Sequence, residues 1–364
     1  MYVGVMSGTS MDAVDLAVVD FASRGATLVA TSSWQWSPDL QNRLRAFADG
    51  QPLNATALAR LDVEIGWHIA EGVNMLLAEN AITNDLIRAV GCHGQTVAHA
   101  PNAEPAATLQ LGDANVIVER TGITTINDFR RRDVAAGGQG APLAPAFHAA
   151  MLRSTTEDRV VLNLGGIANV TLLPADPALP VIGFDTGPAN CLMDDWIWRH
   201  RQKRFDAHGE WAAIGDPDQA LLMRFLEDPY FDQPPPKSTG TQYFSREWLD
   251  RCLGDSDLTA ERVQATLLEL TAASVSAALD RHAPRSARVY VCGGGVHNAT
   301  LMRRLEQGLQ RPVASTSVCG LDPDWMEAMA FAWLAMRTLE GNPGNLPSVT
   351  AAAGPRILGA IHPS

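Results

Sequence analysis

Apolar residues recur at helical spacing at Leu58, Leu61, Ile65, Ile69, Val73 and Leu76, which predicts one long helix over about 55–79. Ahead of it, runs rich in valine and other apolar residues predict strands at 2–6, 14–20 and 27–32. The first two are joined by the turn-forming Ser7-Gly8-Thr9-Ser10. Behind the helix, a strand is expected at 88–92, a helix near 113–121 and a strand at 123–127. From residue 160 the same grammar restarts. Strands are expected at 160–164 and 169–173, forming a hairpin about Gly165-Gly166, and at 181–184. After an insertion-like stretch of about 200–258 come a helix over about 261–280, a strand at 288–292, a helix at 298–310 and a strand at 312–315. A last helix over about 324–339 carries Ala328, Phe331, Ala332 and Ala335. The order strand, turn, strand, strand, helix, strand, helix, strand, helix thus occurs twice. A duplicated α/β unit predicts two domains, expected at 1–128, with about 340–364 packing back on it, and at 129–339, with the insertion. A dinucleotide-binding sheet is the competing α/β pattern. It is excluded because Gly293-Gly294-Gly295 lacks the third, spaced glycine of GxGxxG.

Composition narrows the function. The 364 residues are 46% hydrophobic and 19% charged, ordinary for a globular chain and long enough to call for two cores. No apolar run is long enough to span a bilayer, and the opening MYVGVMSGTSMDAVD meets Asp12 early without a basic start, so no signal peptide and no membrane partner are expected. Cys92, Cys191, Cys252, Cys292 and Cys319 form no CxxC pair, which points to a reducing compartment, the cytoplasm, and gives no zinc framework. The net charge of −12 argues against a nucleic-acid partner. Lys203 and Lys237 are the only lysines, and neither sits in a P-loop or kinase-strand motif. If the chain handles ATP, Gly-rich backbone and a metal must hold the phosphates.

Three Gly-rich turns stand at expected strand ends: 4–12, 162–169, and 292–295 running into Asn298 and a helix. Small residues there let backbone N–H groups approach phosphate oxygens, and a helix N-terminus adds partial positive charge. Any one turn reads more readily as a tight hairpin; three at equivalent places of a duplicated fold carry more weight. This arrangement resembles the actin/hexokinase/Hsp70 ATPase superfamily, with its actin-like, ribonuclease H-like α/β fold and ATP and sugar bound in the cleft between two domains. In detail the chain resembles the anhydro-N-acetylmuramic acid kinases. The matching stretches are MSGTSMDAVD (6–15), GCHGQTVAH (91–99), NDFRRRDVAAGGQGAPLAPAFH (127–148), NLGGIANVTLL (163–173), FDTGPANCLMD (184–194), PKSTGTQYF (236–244), VCGGGVHN (291–298) and WMEAMAFAWLA (325–335).

That resemblance implies hydrolytic opening of 1,6-anhydro-N-acetylmuramic acid and phosphorylation of its 6-oxygen, with ATP and Mg²⁺, by a homodimer. It implies ATP contacts from Gly8, Thr9, Ser10, Met11, Asp12, Ala13, Val14, Asp15, Gly165, Gly166, Gly293, Gly294 and Asn298. Ala13 stands where the family commonly has glycine. Asp185 matches the family's catalytic base; its bland alternative is a helix N-cap. His93 matches a sugar contact, although a lone histidine is more often structural. Arg131 is the implied partner of the substrate's lactyl carboxylate, with internal pairing of the Arg130–Arg132 run to Asp128 or Asp133 as the alternative. Glu327 is either a sugar contact or an acid favouring a helix N-terminus. Asp12 or Asp15 could hold Mg²⁺ through water, and neither is singled out. Thr241-Gln242 departs from the family pattern, in which a charged residue follows Ser-Thr-Gly. Two other classes remain open: a sugar or hydroxy-acid kinase without ring hydrolysis, and an actin- or Hsp70-like ATP switch that binds protein.

Overall fold

The computed structural model describes residues 1–8, 11–21, 25–48 and 50–364. In chain order the first elements are β1 (Tyr2–Ser7), β2 (Ala13–Asp20), β3 (Thr27–Gln35), α1 (Pro38–Ala48), α2 (Ala55–Glu79), β4 (Ala89–Ala100), β5 (Ala107–Leu111), α3 (Ala114–Thr121), β6 (Thr125–Asn127), α4 (Arg131–Ala135) and α5 (Ala144–Leu152). Then come β7 (Arg159–Leu164), β8 (Ile167–Leu173), β9 (Ile182–Pro188), α6 (Asn190–Arg201), α7 (Gln219–Leu226), α8 (Arg246–Leu253), α9 (Ala260–His282), β10 (Arg288–Cys292), α10 (Ala299–Leu309) and β11 (Val313–Ser315). The chain finishes with α11 (Met326–Leu339), α12 (Pro347–Thr350) and β12 (Ala360–His362).

Contacts divide the chain into two compact units, Met1–Met151 with Trp325–Ser364, and Leu152–Asp324. These limits differ from the expected boundaries at 128 and 339. Residues 129–151 and helix α11 belong with the first unit, although α11 follows the second in sequence. The reason is steric. Gly4 and Gly91 are paired neighbours on β1 and β4. A Cβ at Gly4 would fall on the Ala328 carbonyl, and one at Gly91 on the Phe331 carbonyl. The two glycines therefore let the α11 backbone lie directly on the first sheet, where Ala328, Ala332 and Ala335 are buried.

In the first unit the sheet order is β12-β6-β4-β1-β2-β3, with β5 on the end of β4. β1, β2 and β3 form an antiparallel meander, while β4 and β6 run parallel to β1. Helix α2 starts where Asn54 caps it, accepting from the Ala57 N–H at 2.9 Å. Its stripe of Leu61, Ile65, Ile69, Val73 and Leu76 packs in one core with Val3, Val5, Leu16 and Val90.

In the second unit the order is β11-β10-β7-β8-β9. Again three strands form an antiparallel meander, and β10 and β11 run parallel to β7. Strands β7, β8, β9, β10 and β11 thus repeat the arrangement of β1, β2, β3, β4 and β6. This is the duplicated actin-like, ribonuclease H-like α/β fold. The stretch expected as an insertion is integral to the second core, where Phe225, Tyr230, Phe244 and Trp248 pack with Phe184 and Leu267.

Candidate active site

The first unit carries two of the singled-out regions. At the end of β1, Ser7 Oγ donates to Gln95 Oε1 at 2.6 Å and lies 3.2 Å from the Ala13 carbonyl. Gln95 Nε2 donates to the Gly8 carbonyl at 3.3 Å, and so does the Met11 N–H at 3.1 Å. Met11 sits at φ 54° with its side chain buried, and Gln41 Nε2 donates to its carbonyl at 2.7 Å. Gly8 and Met11 are thus held from β4 and α1. Thr9 and Ser10, the expected hydroxyl donors, lie outside the described residues. Ala13 and Val14 are in β2, and the buried Val14 side chain leaves only its backbone to meet a ligand. Asp15 Oδ1 accepts from Ser33 Oγ at 3.0 Å, whereas Asp12 is exposed, 3.6 Å from Arg45.

The basic run lies at the entry to α4, after Asp128 turns the chain at φ 58°. It divides the labour among its arginines. Arg130 Nε donates to His93 Nε2 at 2.9 Å and Arg130 Nη1 to the Gly140 carbonyl at 2.8 Å. Arg131 is half exposed, its Nε 3.5 Å from Asp128 and donating to the Thr108 carbonyl at 3.4 Å. Arg132 is exposed. The one singled-out for carboxylate binding is therefore the outward Arg131, and the one that touches His93 is Arg130.

His93 is buried on β4, its ring 4.7 Å from that of Phe331. Burial, and then the Arg130 guanidinium, hold it well below the ordinary histidine value, against the backbone of Gly94 and Ser7. Arg130 itself is brought down to about 10 by burial, offset by Glu327 and Asp133. Glu327 stands in the first turn of α11, reachable by solvent yet crowded by protein. Loss of hydration pushes its carboxyl up, Arg130 opposes this, and Asp15 adds to it. Electrostatics therefore link His93, Arg130, Glu327 and Asp15 within this unit. Asp133 is a bolt beneath them. It is fully buried and accepts from the Gly140 N–H (2.8 Å), Asn345 Nδ2 (2.7 Å) and Thr350 Oγ1 (2.8 Å).

The second unit carries the other regions. The Gly165 and Gly166 carbonyls accept from the N–H groups of Asn190, Ala189 and Cys191 at 3.0–3.2 Å, so the β7–β8 turn closes the start of α6. A Cβ at Gly165 would meet nothing nearer than 3.7 Å, and one at Gly166 would touch Thr241 Cγ2 at 3.3 Å. The departure at Thr241 thus lies beside this turn. Gly293 has φ 79° and its Cβ would fall on Asn163 Oδ1, whereas Gly294 faces open space. Asn298 caps α10, its Oδ1 accepting from the Leu301 N–H at 2.9 Å.

Asp185 lies on β9 opposite Asn169. It is not a helix cap: α6 begins at Asn190 after Ala189, with no side-chain capping bond. Three hydrogen bonds fix it instead. Its N–H donates to the Lys237 carbonyl at 3.1 Å, its carbonyl accepts from Tyr230 Oη at 2.7 Å, and its Oδ2 accepts from the Thr239 N–H at 2.9 Å. Burial pushes the carboxyl up to about 6, against the Thr239 bond and the Lys237 charge. The Thr239 hydroxyl is buried and unpartnered. Lys237 and Thr239 lie in the PKSTGTQYF stretch, which gives no sign that they hold Asp185, and Tyr230 lies in no singled-out motif.

Among the described residues, no three His, Cys, Asp or Glu side chains converge as a metal cluster, and no helix is long and apolar enough to cross a membrane.

Comparison with known proteins adds the family. The profile described as anhydro-N-acetylmuramic acid kinase matches residues 1–364. The chain is 54% identical over 369 aligned residues to the anhydro-N-acetylmuramic acid kinase of Xanthomonas campestris pv. campestris, covering 100% of this chain and 97% of that protein. It is 47% identical over 363 residues to the enzyme of that name from Coxiella burnetii, covering 99% and 97%. Solved structures are more distant. The (R)-2-hydroxyglutaryl-CoA dehydratase component A of Acidaminococcus fermentans aligns at 12% identity and a TM-score of 0.47, over 91% of this chain and 95% of that one.

Proposed function

This chain belongs to the anhydro-N-acetylmuramic acid kinase family, and from that premise we propose that it couples hydrolysis to phosphoryl transfer on 1,6-anhydro-N-acetylmuramic acid. It is an ATP-dependent kinase of cell-wall sugar recycling. In the proposed reaction Asp185 takes a proton from water, whose oxygen forms a bond to the anomeric carbon. The bond from that carbon to O6 breaks, and O6 attacks the γ-phosphorus as ADP leaves. The product is N-acetylmuramic acid 6-phosphate.

The observation that carries this reading is the Asp185 environment. A base working near neutral pH gains from an ionisation close to that pH, and burial lifts this carboxyl to about 6. One of its oxygens is held by the Thr239 N–H, and the unpartnered Thr239 hydroxyl supports a polar pocket suited to water. In the first unit, Arg131 is the proposed partner of the lactyl carboxylate, its terminal nitrogens having no hydrogen bond among the described residues and so suiting a bidentate contact. His93 and Glu327, linked through Arg130, are the proposed sugar contacts. The Gly8, Gly165 and Gly294 turns are the proposed phosphate and nucleotide contacts.

ATP chemistry implies Mg²⁺. Asp15 fits it: its charge already bears on Glu327, which a cation would relieve, and phosphate oxygens and waters would complete the shell. The ion would offset charge on the transferring phosphoryl group. Five free cysteines agree with a cytoplasmic enzyme; a homodimer is the expected assembly, measurable by light scattering.

Turnover in ¹⁸O water tests the reaction. Label on the anomeric hydroxyl and none on phosphate is expected. An intact 1,6-bridge in the phosphorylated product would point to the kinase without ring hydrolysis.

A further inference from the structure

Lys237 is the one buried lysine, with 9% of its surface exposed. No carboxylate lies within ion-pair range of it among the described residues. Its ammonium is occupied by backbone instead. Nζ donates to the Tyr230 carbonyl at 3.1 Å and the Phe231 carbonyl at 3.4 Å, and it stands 4.5 Å from the centre of the Tyr230 ring. Taking an ammonium out of water for two carbonyls and a ring is costly, and burial pulls this lysine below its ordinary value. The arrangement needs a reason, and its geometry supplies one. Tyr230, Lys237 and Thr239 are the three residues that hold Asp185, by a hydroxyl, a carbonyl and an N–H respectively. Nζ ties the start of that segment, at Tyr230 and Phe231, to Lys237 two residues before its end.

We propose that Lys237 is a positioning residue for the reaction: its ammonium closes the 230–239 segment into a clamp that holds Asp185. This rests on the reading of Asp185 as the base. The charge has a second effect through space. The groups facing Lys237 are Asp185 and Asp232, which favour its charged form, and Arg281, which opposes it; His282 feels Lys237 in turn, and the Tyr230 phenol is pushed far up by burial and by Asp185. Because Lys237 stabilises the ionised Asp185, removing its charge moves the ionisation of Asp185 upward.

Lys237→Met and Lys237→Arg separate positioning from packing. Methionine keeps the bulk and loses the donor and charge; arginine keeps both. For Lys237→Met, kcat is expected to fall by about tenfold or more, ATP affinity to stay within about threefold, and the acidic limb of the kcat/KM profile to move to higher pH. Lys237→Arg is expected to recover most turnover, with the limb in place. Wild-type kcat and limb in Lys237→Met would overturn the proposal, as would equal losses in both folded variants. If Lys237→Met does not fold, Tyr230→Phe decides: slowed turnover with intact ATP binding is expected, and unchanged turnover overturns the clamp. Asp185→Asn keeps the two readings apart. Should it retain turnover, the base assignment fails; should it be inactive while Lys237→Met is normal, only the clamp fails.

Discussion

Arg130 Nε donates to His93 Nε2 across 2.9 Å, so a permanent cation sets the tautomer of a buried imidazole. Nε2 must carry the lone pair, and the proton of His93 sits on Nδ1. With burial and Arg130 both opposing a second proton, His93 is expected to stay neutral well below pH 6.5. Long-range ¹H–¹⁵N correlations of labelled histidine check this: a neutral Nδ1–H ring should persist well below pH 6.5, and a ring titrating near its free value of about 6.5 contradicts it. The sign for stability follows. Below about pH 6.5 the unfolded chain takes up a proton that the folded one refuses, so this residue makes stability fall as pH falls, at up to about 1.4 kcal/mol per unit.

The two neighbouring arginines should separate kinetically. Arg131→Met removes the half-exposed guanidinium proposed for the substrate carboxylate. Losing a charge-assisted contact of about 1.5–3 kcal/mol should raise KM for the sugar by about 10- to 100-fold, with a smaller effect on kcat. Arg130→Met should instead lower the melting temperature, since it strips a donor from His93 and a cation from Glu327. A KM effect confined to Arg130→Met would exchange the two roles.

Asp185 gives a pH dependence of defined direction. The ionised form is the proposed base, so kcat/KM should rise with pH through about 6 and fall about tenfold per unit below it. Asp185→Asn should lose turnover by about 10²-fold or more and still bind ATP. It should also stabilise the fold. The folded carboxyl ionises at about 6 against 3.8 for its ordinary value, so stability is lost as pH rises between these values and stays lost above them. Asparagine can still accept the Thr239 N–H without the charge. Its melting temperature should exceed wild type at pH 8, with a gain on the order of 1–3 kcal/mol, and the gain should shrink at pH 4.

Glycines of two kinds should answer differently to the same substitution. Gly294→Val meets open space, and the nearest atom to a Gly165 Cβ is 3.7 Å away. Both variants should fold and melt near wild type, yet lose ATP affinity by about tenfold or more in calorimetry, because the new side chain would fill the proposed phosphate space. Gly4→Ala and Gly91→Ala put a Cβ into the α11 backbone. They should lose about 2 kcal/mol or more of stability in urea melts, as overpacking does. Lys203→Ala should leave ATP affinity within about tenfold.

Periodicity made much of this fold legible. Helix α2 and strand β10 lie where the apolar pattern put them, because each buries one clear stripe or run. Helix α5 went unread because Ala144–Leu152 is apolar almost throughout and shows no stripe. Helix α1 went unread because only Leu40 and Leu44 are buried. The pattern of α11 marks it as a helix, but its place in the chain does not mark the unit it joins. Its periodicity says that it has a buried face, and only the facing glycines on β1 and β4 say which sheet receives it. For the site, Asp185 and His93, the proposed base and a proposed sugar contact, stand out in sequence through their motifs. The clamp of Tyr230, Lys237 and Thr239 was invisible, since it acts through backbone groups more than 40 residues away in sequence.

The placement of α11 also bears on synthesis at the ribosome. The unit Leu152–Asp324 is one unbroken stretch, so all its strands and helices are available as soon as β11 has emerged. The unit that begins first cannot finish first. Its β1–β4 pair, with Gly4 and Gly91 side by side, waits for a helix translated after the whole of the other unit. At about 5–20 residues per second, the groove reserved for α11 stays uncovered for on the order of ten seconds or more on every nascent chain. During that interval the backbone at Gly4 and Gly91 lies open to chaperones and to aggregation.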